Sequence, residues 1–344
     1  MTARPTRATA PDRERANFIQ TWAAGAALPQ ACPCGGLELA PPVVQLRHQQ
    51  TSYGLRPCRG CGRLVLHPRP SSQQLLDAYD ATYYGIGGRK FVAPVEAGVE
   101  WFRQRRAREV MRRMSRRPNG RPIRVLDLGC GSGRFLAHLA ARGCECHGTE
   151  LTPLTAQRAA ALQGVRIRTD PLTSDAYPEA HFDVISLWHV LEHLPDPDQA
   201  LRQCRRWLAP DGLLMLAVPN IDSWQARLFR GAWFHLDPPF HLFHYSPVSL
   251  RACLEANGFE TTAIAHLCWQ YNPYGFLQSL LNAVGFPRDE LYDLLKGNRS
   301  DPFLRLLAQA LCGAAALPAA VVATLLEAAC RRGGTVEVVA RPAG

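Results

Sequence analysis

Three stretches of the chain hold residues whose types and spacing could do chemistry. In "WHVLEHLPDP", residues 188–197, His189, Glu192 and His193 stand at i, i+3 and i+4, so one helical turn would bring them to one side. Such a triplet could ligate a divalent cation, or act as a proton acceptor with its support. The prolines that follow equally mark an ordinary helix start. In "VLDLGCGSGRFL", residues 125–136, a strand-like run passes through Gly129, Gly131 and Gly133 into a helical pattern, with Asp127 just ahead. Glycines there permit a tight turn and close approach of a ligand to main-chain N–H groups. Arg134 occupies the sixth position of a dinucleotide fingerprint, and no Lys-Ser/Thr closes the loop, so neither that motif nor a P-loop fits. Cys130, inside the loop, has no base beside it in sequence and reads as a small packing residue. Lastly, "CPCGG" (32–36) and "CRGCGR" (58–63) set out Cys32, Cys34, Cys58 and Cys61 in two close pairs. Thiolates on such glycine-bearing turns can converge on one tetrahedral zinc at about 2.3 Å. The second pair has the C-x-x-C-G knuckle spacing and the first is one residue shorter. The other reading is unliganded cysteines in a small core.

These residues need elements to hold them. Strand-like runs at 123–129, 144–151, 165–170, 182–189, 213–219, 260–267 and 335–342 alternate with helical patterns at 133–142, 153–163, 196–208 and 246–256. Alternation of this kind implies an α/β fold, a doubly wound, mainly parallel sheet of seven strands with helices on both faces. The last run is expected as an edge strand. Helix 98–117 precedes the first strand. Trp101, Phe102, Val110 and Met114 are its expected buried side, and its arginines are expected in solvent. The chain divides into a disordered arm (1–30), the cysteine module (31–68), a linker with the basic helix (69–121), the core (122–267), a helical apolar insertion (268–334) and the final strand (335–344).

Composition narrows the class without naming a partner. With 47% apolar and 20% charged residues, 344 residues suffice for one large domain and a small accessory one. The net charge of +10 is almost all arginine, lysine standing only at Lys90 and Lys296. Together with abundant alanine, that points to a compositional bias and weakens any inference of nucleic acid or lipid from charge alone. The first 20 residues lack the apolar core of a signal peptide, so the 12 cysteines are expected in a reducing cytosol, as metal ligands or packing residues.

With its D-x-G-x-G-x-G loop and the ordered blocks that follow, the chain resembles the class I S-adenosylmethionine-dependent methyltransferases over roughly 122–267. The resemblance implies a Rossmann-like sheet and S-adenosylmethionine as cofactor. Asp127, Gly129, Gly131 and Gly133 would form the cofactor loop, Glu150 would accept both ribose hydroxyls, and Asp170 with Leu172 would meet the adenine. "HVLEHL" then lies after the fourth strand of the core and resembles an E-x-x-E-H run of ubiquinone-pathway O-methyltransferases that is associated with a divalent metal. His189 replaces the first glutamate here, a poorer choice for a hard cation such as magnesium. His189 is the preferred base, His193 and His241 further candidates. His241 belongs to "WFHLDPPFHLFHYSP" (233–247), with His235 and His244. "DPPF" there imitates a motif of amino-directed nucleic-acid methyltransferases but follows the wrong strand. A cysteine-rich start followed by "LLDAYDATYYG" occurs in many bacterial methyltransferases, and sugar C-methyltransferases carry a zinc module at the same end. Tyr79, Tyr83 and Tyr84 would cover the site or simply pack.

The uncharged run Leu306–Leu326 is long enough to invite a membrane span. Gly313 and Pro318 interrupt it, and strands assigned to one sheet flank it. A helical hairpin is expected instead, serving as a lid, a peripheral foot on the inner face of the membrane, or a dimer surface. The expected activity is cytosolic methylation of a small molecule, at a hydroxyl oxygen of a lipid-linked, sugar or secondary-metabolite acceptor. The rivals are an RNA methyltransferase gripping its substrate with the zinc module and basic helix, a sugar C-methyltransferase, and a noncatalytic zinc-bearing interaction protein. The apolar insertion and the missing motif disfavour nucleic acid, and the intact loop with Glu150 disfavours a noncatalytic protein.

Overall fold

The computed structural model describes residues 31–71 (37 and 49 apart), 74–75, 91–114, 120–150, 152–169, 176–297 and 303–344. The N-terminal arm, the tyrosine-rich stretch 76–90, Asp170 and Leu172 lie outside the described residues.

The main sheet grows from the alternation in the sequence. Strands β4 (Arg124–Leu128), β5 (Glu145–Thr149), β6 (Val165–Arg168), β7 (Phe182–Trp188) and β8 (Leu208–Pro219) run parallel, joined through α2 (Arg134–Ala140), α3 (Pro153–Ala160) and α4 (Pro197–Trp207). α6 (Pro247–Ala256) leads to β10 (Phe259–Ala265), and β11 (Thr335–Pro342) closes the chain. The order is β10-β11-β8-β7-β4-β5-β6. Proline at the first helical position with an Asp196 or Ser246 cap starts α4 and α6 where the sequence expects them.

Two expectations are corrected. β11 is not an edge strand: it lies between β10 and β8, antiparallel to both. Its run of buried residues fits an interior strand, and β10, whose exposed positions are more numerous, takes the edge. Helix α1 (Ala93–Met114) buries Ala107, Val110 and Met114, whereas Trp101 is 52% exposed. Nor are all its arginines solvated, because Arg106 is largely covered and lies over Trp188.

Two cores flank the sheet. Under α1 and α2, Val110, Phe135, Leu136 and Leu139 pack with Val125, Val184 and Met215. The opposite core is larger and continuous with the cysteine module, joining Leu55, Val65 and Leu66 to Ile185, Trp207, Leu216 and Phe243. The module's strands β1 (Val44–His48), β2 (Thr51–Pro57) and β3 (Leu64–His67) are completed by β9 (Phe243–His244), a piece of the main domain. A buried ion pair, Arg63 Nη2 to Asp198 at 2.7 Å, fastens the module to α4. Thus 31–68 is not a detached unit; its sheet and core are shared.

The insertion holds α7 (Asn272–Ala283), α8 (Glu290–Leu295) and α9 (Phe303–Ala329); α9 runs unbroken through Gly313 and Pro318, where the sequence suggested an interruption, and α7 packs along it. α5 (Trp224–Phe229) sits after β8, beside the end of α9.

Candidate active site

Three neighbouring strands end at one place. β4 delivers the glycine loop, β5 delivers Glu150 and β7 delivers His189, all at the carboxyl edge where open α/β sheets bind ligands. Gly129, Gly131 and Gly133 all have positive φ, between 53° and 69°. A Cβ at Gly129 would stand 2.7 Å from Val190, and one at Gly133 would stand 2.9 Å from Ala159, so these two glycines are required by close packing. Nothing lies within 4 Å of a Cβ built at Gly131, which leaves its main chain open to a ligand.

Glu150 is buried and braces this loop. Its Oε2 accepts from the Gly131 N–H at 3.0 Å and its Oε1 from the Thr152 N–H at 2.9 Å. An ionised carboxylate only accepts hydrogen bonds, which is what the two hydroxyls of a ribose diol would need. Asp127 sits beneath the loop, accepting from the hydroxyl of Ser186, its register partner on β7, at 2.6 Å. Burial raises its pKa to about 7, against the opposing effects of Ser186 and the Arg106 charge. Asp127 therefore supports the loop from inside. Cys130 packs against Gly148, and burial pushes its thiol well above the ordinary range, which agrees with an inert packing role.

After β7 the backbone turns with His189 at φ 55° and enters a 3-10 turn, Leu191–His193. His189 Nδ1 lies 3.1 Å from Oε1 of the buried Glu192. The His189 ring also meets Tyr271, centroids 4.1 Å apart, and stacks on His235 at 6.1 Å. His193 goes elsewhere, its Nδ1 to the Phe240 carbonyl at 3.1 Å and its ring against His241 at 4.6 Å. His241 in turn has Nδ1 2.8 Å from the His235 carbonyl. So the triplet expected on one turn is divided. His189 pairs with Glu192, while Glu192, His193 and His241 bring their ligand atoms within 4.8 Å of one another. That second set, two imidazoles and a carboxylate, suits zinc better than magnesium.

Electrostatics separate these groups further. Burial raises Glu192 to about 7, against the His241 charge, and its Oε2 has no hydrogen-bond partner among the described residues. Burial lowers His244 to about 3 and His235 well below the usual value, so both are neutral near pH 7.

Two residues escaped sequence reasoning. Arg106 of α1 lies over the Trp188 ring at 4.3 Å, and its Nη2 has no hydrogen-bond partner among the described residues, 3.7 Å from Glu337. Tyr271, from the start of the insertion, faces both Arg106 and His189. Neither belongs to a motif, although an arginine on the helix row that buries Val110 and Met114 was a usable signal.

The four cysteines do converge. Cys32 and Cys61 sulfurs are 3.6 Å apart, Cys34 and Cys58 sulfurs 3.5 Å, and all four lie within 4.8 Å of one another. Four thiolates about 2.3 Å from a zinc would stand about 3.8 Å apart, so the set fits the ion. Arg63 Nε, 3.0 Å from Cys61 Sγ, favours a thiolate there.

Comparison with known proteins agrees with this geometry. Residues 100–264 match the family described as "Methyltransferase domain". A ubiquinone biosynthesis O-methyltransferase of Pseudomonas aeruginosa is 34% identical over 175 residues, covering 47% of this chain and 74% of the relative. One of the same name from Caulobacter sp. is 35% identical over 122 residues, so the chain matches 33% of itself to about half, 48%, of that protein. A solved S-adenosylmethionine dependent methyltransferase from Mesorhizobium loti superposes with a TM-score of 0.43 at 17% identity, over 72% of this chain and 99% of that one.

Proposed function

This chain belongs to the class I S-adenosylmethionine-dependent methyltransferases, and from that premise we propose that it methylates a hydroxyl oxygen of a small-molecule acceptor. The observation that carries the reading is the His189–Glu192 pair at the end of β7, beside the glycine loop. Bound S-adenosylmethionine would supply an electrophilic methyl group on a sulfonium. Gly129 and Gly131 would let it approach the main chain, and Glu150 would hold its ribose diol. With Nδ1–H donating to Glu192, the basic lone pair of His189 is on Nε2, which would take the hydroxyl proton as the oxygen attacks. The proton lost by the hydroxyl would rest on His189, where Glu192 would stabilise the imidazolium. Tyr271 and the insertion behind it would keep water from the site. The relatives are O-methyltransferases by name, which supports oxygen as the acceptor atom and a lipophilic hydroxyl compound as the substrate. A structural zinc on Cys32, Cys34, Cys58 and Cys61 belongs to the same proposal.

The test is turnover of methyl-labelled cofactor against lipid and polar extracts assayed separately. His189→Gln should lower kcat by about 10²–10⁴-fold with cofactor affinity unchanged by calorimetry. Full turnover in that variant would remove His189 as the base. Label appearing only in RNA would overturn the small-molecule assignment.

A further inference from the structure

Helix α9 is apolar on two sides. Its inner side, including Ala320 and Thr324, is buried against the protein, with α7 alongside. Its outer side carries Leu307, Leu311, Leu317, Val322, Leu325 and Leu326, each 43–62% exposed. A helix on a protein surface ordinarily turns charged residues outward, yet no charge occurs from Leu306 to Leu326. The patch continues onto α5, where Trp224 is 41% and Leu228 66% exposed. The Trp224 N–H donates to the Arg332 carbonyl at 3.3 Å, and Gln225 is bonded to Glu327, so α5 abuts the end of α9.

Arginines outnumber acids around this face. Arg227, Arg230 and Arg331 are exposed beside this end, and Arg305 stands at the other end of α9. Nearby acids are engaged: Asp222 with Arg227 and Arg332, Glu290 with Arg305, and Glu327 buried against Gln225. Arg305–Ala329 is long and apolar enough to cross a bilayer. However, β10 and β11, which bracket the insertion, are paired neighbours through Ala265 and Glu337. Gln309 and Glu327 are also buried on the protein side. The helix therefore lies along the molecule rather than leaving it.

We propose that the outer face of α9, with Trp224 and Leu228 of α5, rests in the interface of an anionic phospholipid bilayer. Leucines and a tryptophan would enter the acyl boundary while the arginine rim meets lipid phosphates. Charge favours this occupant over a second copy, because the rim offers arginines to lipid phosphates while its acids Asp222, Glu290 and Glu327 are already engaged within the chain. The inference does not depend on which molecule is methylated.

The full chain should float with phosphatidylglycerol/phosphatidylcholine vesicles, bind phosphatidylcholine vesicles less, and be released by high salt without detergent. Leu311→Asp/Leu325→Asp and, separately, Arg227→Glu/Arg230→Glu should each weaken flotation by about tenfold or more, with unchanged circular dichroism and melting. Absence of flotation in the wild type overturns the proposal, as does flotation unaltered by both variants. A dimer in light scattering that Leu311→Asp/Leu325→Asp dissociates, without vesicle binding, would assign the face to a second copy instead. Extraction by detergent alone would show a span and overturn the surface placement.

Discussion

Glu192 is asked to do two things that oppose each other. To hold a protonated His189 it must be ionised, yet it is buried at 1% exposure with one oxygen lacking a partner among the described residues. Its folded pKa, raised by burial to about 7, lies above the ordinary value of 4.5. A raised acid favours the folded state while protonated, so the stability it contributes is full below about pH 4.5 and is lost as pH rises through about 7. The shift corresponds to about 3 kcal/mol, and Asp127, raised to about 7 by its own burial, acts in the same direction. Urea unfolding at pH 5 and pH 8 should therefore show the wild type weakening with pH and Glu192→Gln weakening distinctly less. The same variant should lose about tenfold or more in kcat, because a neutral amide cannot stabilise an imidazolium. An identical pH slope in wild type and variant would mean that Glu192 is not the buried acid described.

At the scale of elements, the short strand β9 links the cysteine module to the histidines. Leu64 and Val65 of β3 pair with His244 and Phe243, and the Leu66 N–H donates to the Leu242 carbonyl at 3.0 Å. His241 is the next residue. Loss of zinc should thus be felt beyond residues 31–68. Protein purified without added metal should carry about one zinc per chain, and Cys58→Ser should lose it. Hydrogen exchange should then rise over 64–67 and over 240–245 together. Loosening confined to 31–68 would mean that the shared sheet does not couple the two regions. Metal-free wild-type protein would mean that the cysteines are packing residues only.

For the whole molecule, a shared core and a buried ion pair join the module to the main domain, so the two should unfold together. Arg63 and Asp198 are nearly inaccessible, and Asp198 also accepts from Asn257 Nδ2 at 2.9 Å. Removing one partner leaves the other charge buried, at a cost of about 3–5 kcal/mol. Arg63→Ala should lower stability by about that much in a single transition by both near- and far-ultraviolet circular dichroism. A separate early transition would show instead that the module unfolds alone.

What the sequence determined by itself is local. The D-x-G-x-G-x-G spacing, the proline-marked helix starts, the strand alternation and the two cysteine pairs each depend on residues close along the chain, and each is found where expected. So is the placement of His189 just past the end of β7. The tertiary structure alone decided which faces meet. β11 reads from its residues as a plain apolar strand, and only the burial of both its sides against β8 and β10 takes it from the edge to the interior. His189 and His193 are four residues apart yet separate, because a 3-10 turn sends one to Glu192 and Tyr271 and the other to His241. Arg106, Tyr271 and β9 reach the site from distant segments. Spacing within a segment encodes its periodicity, whereas long-range pairing depends on which buried surfaces fill one another, and no short motif carries that information.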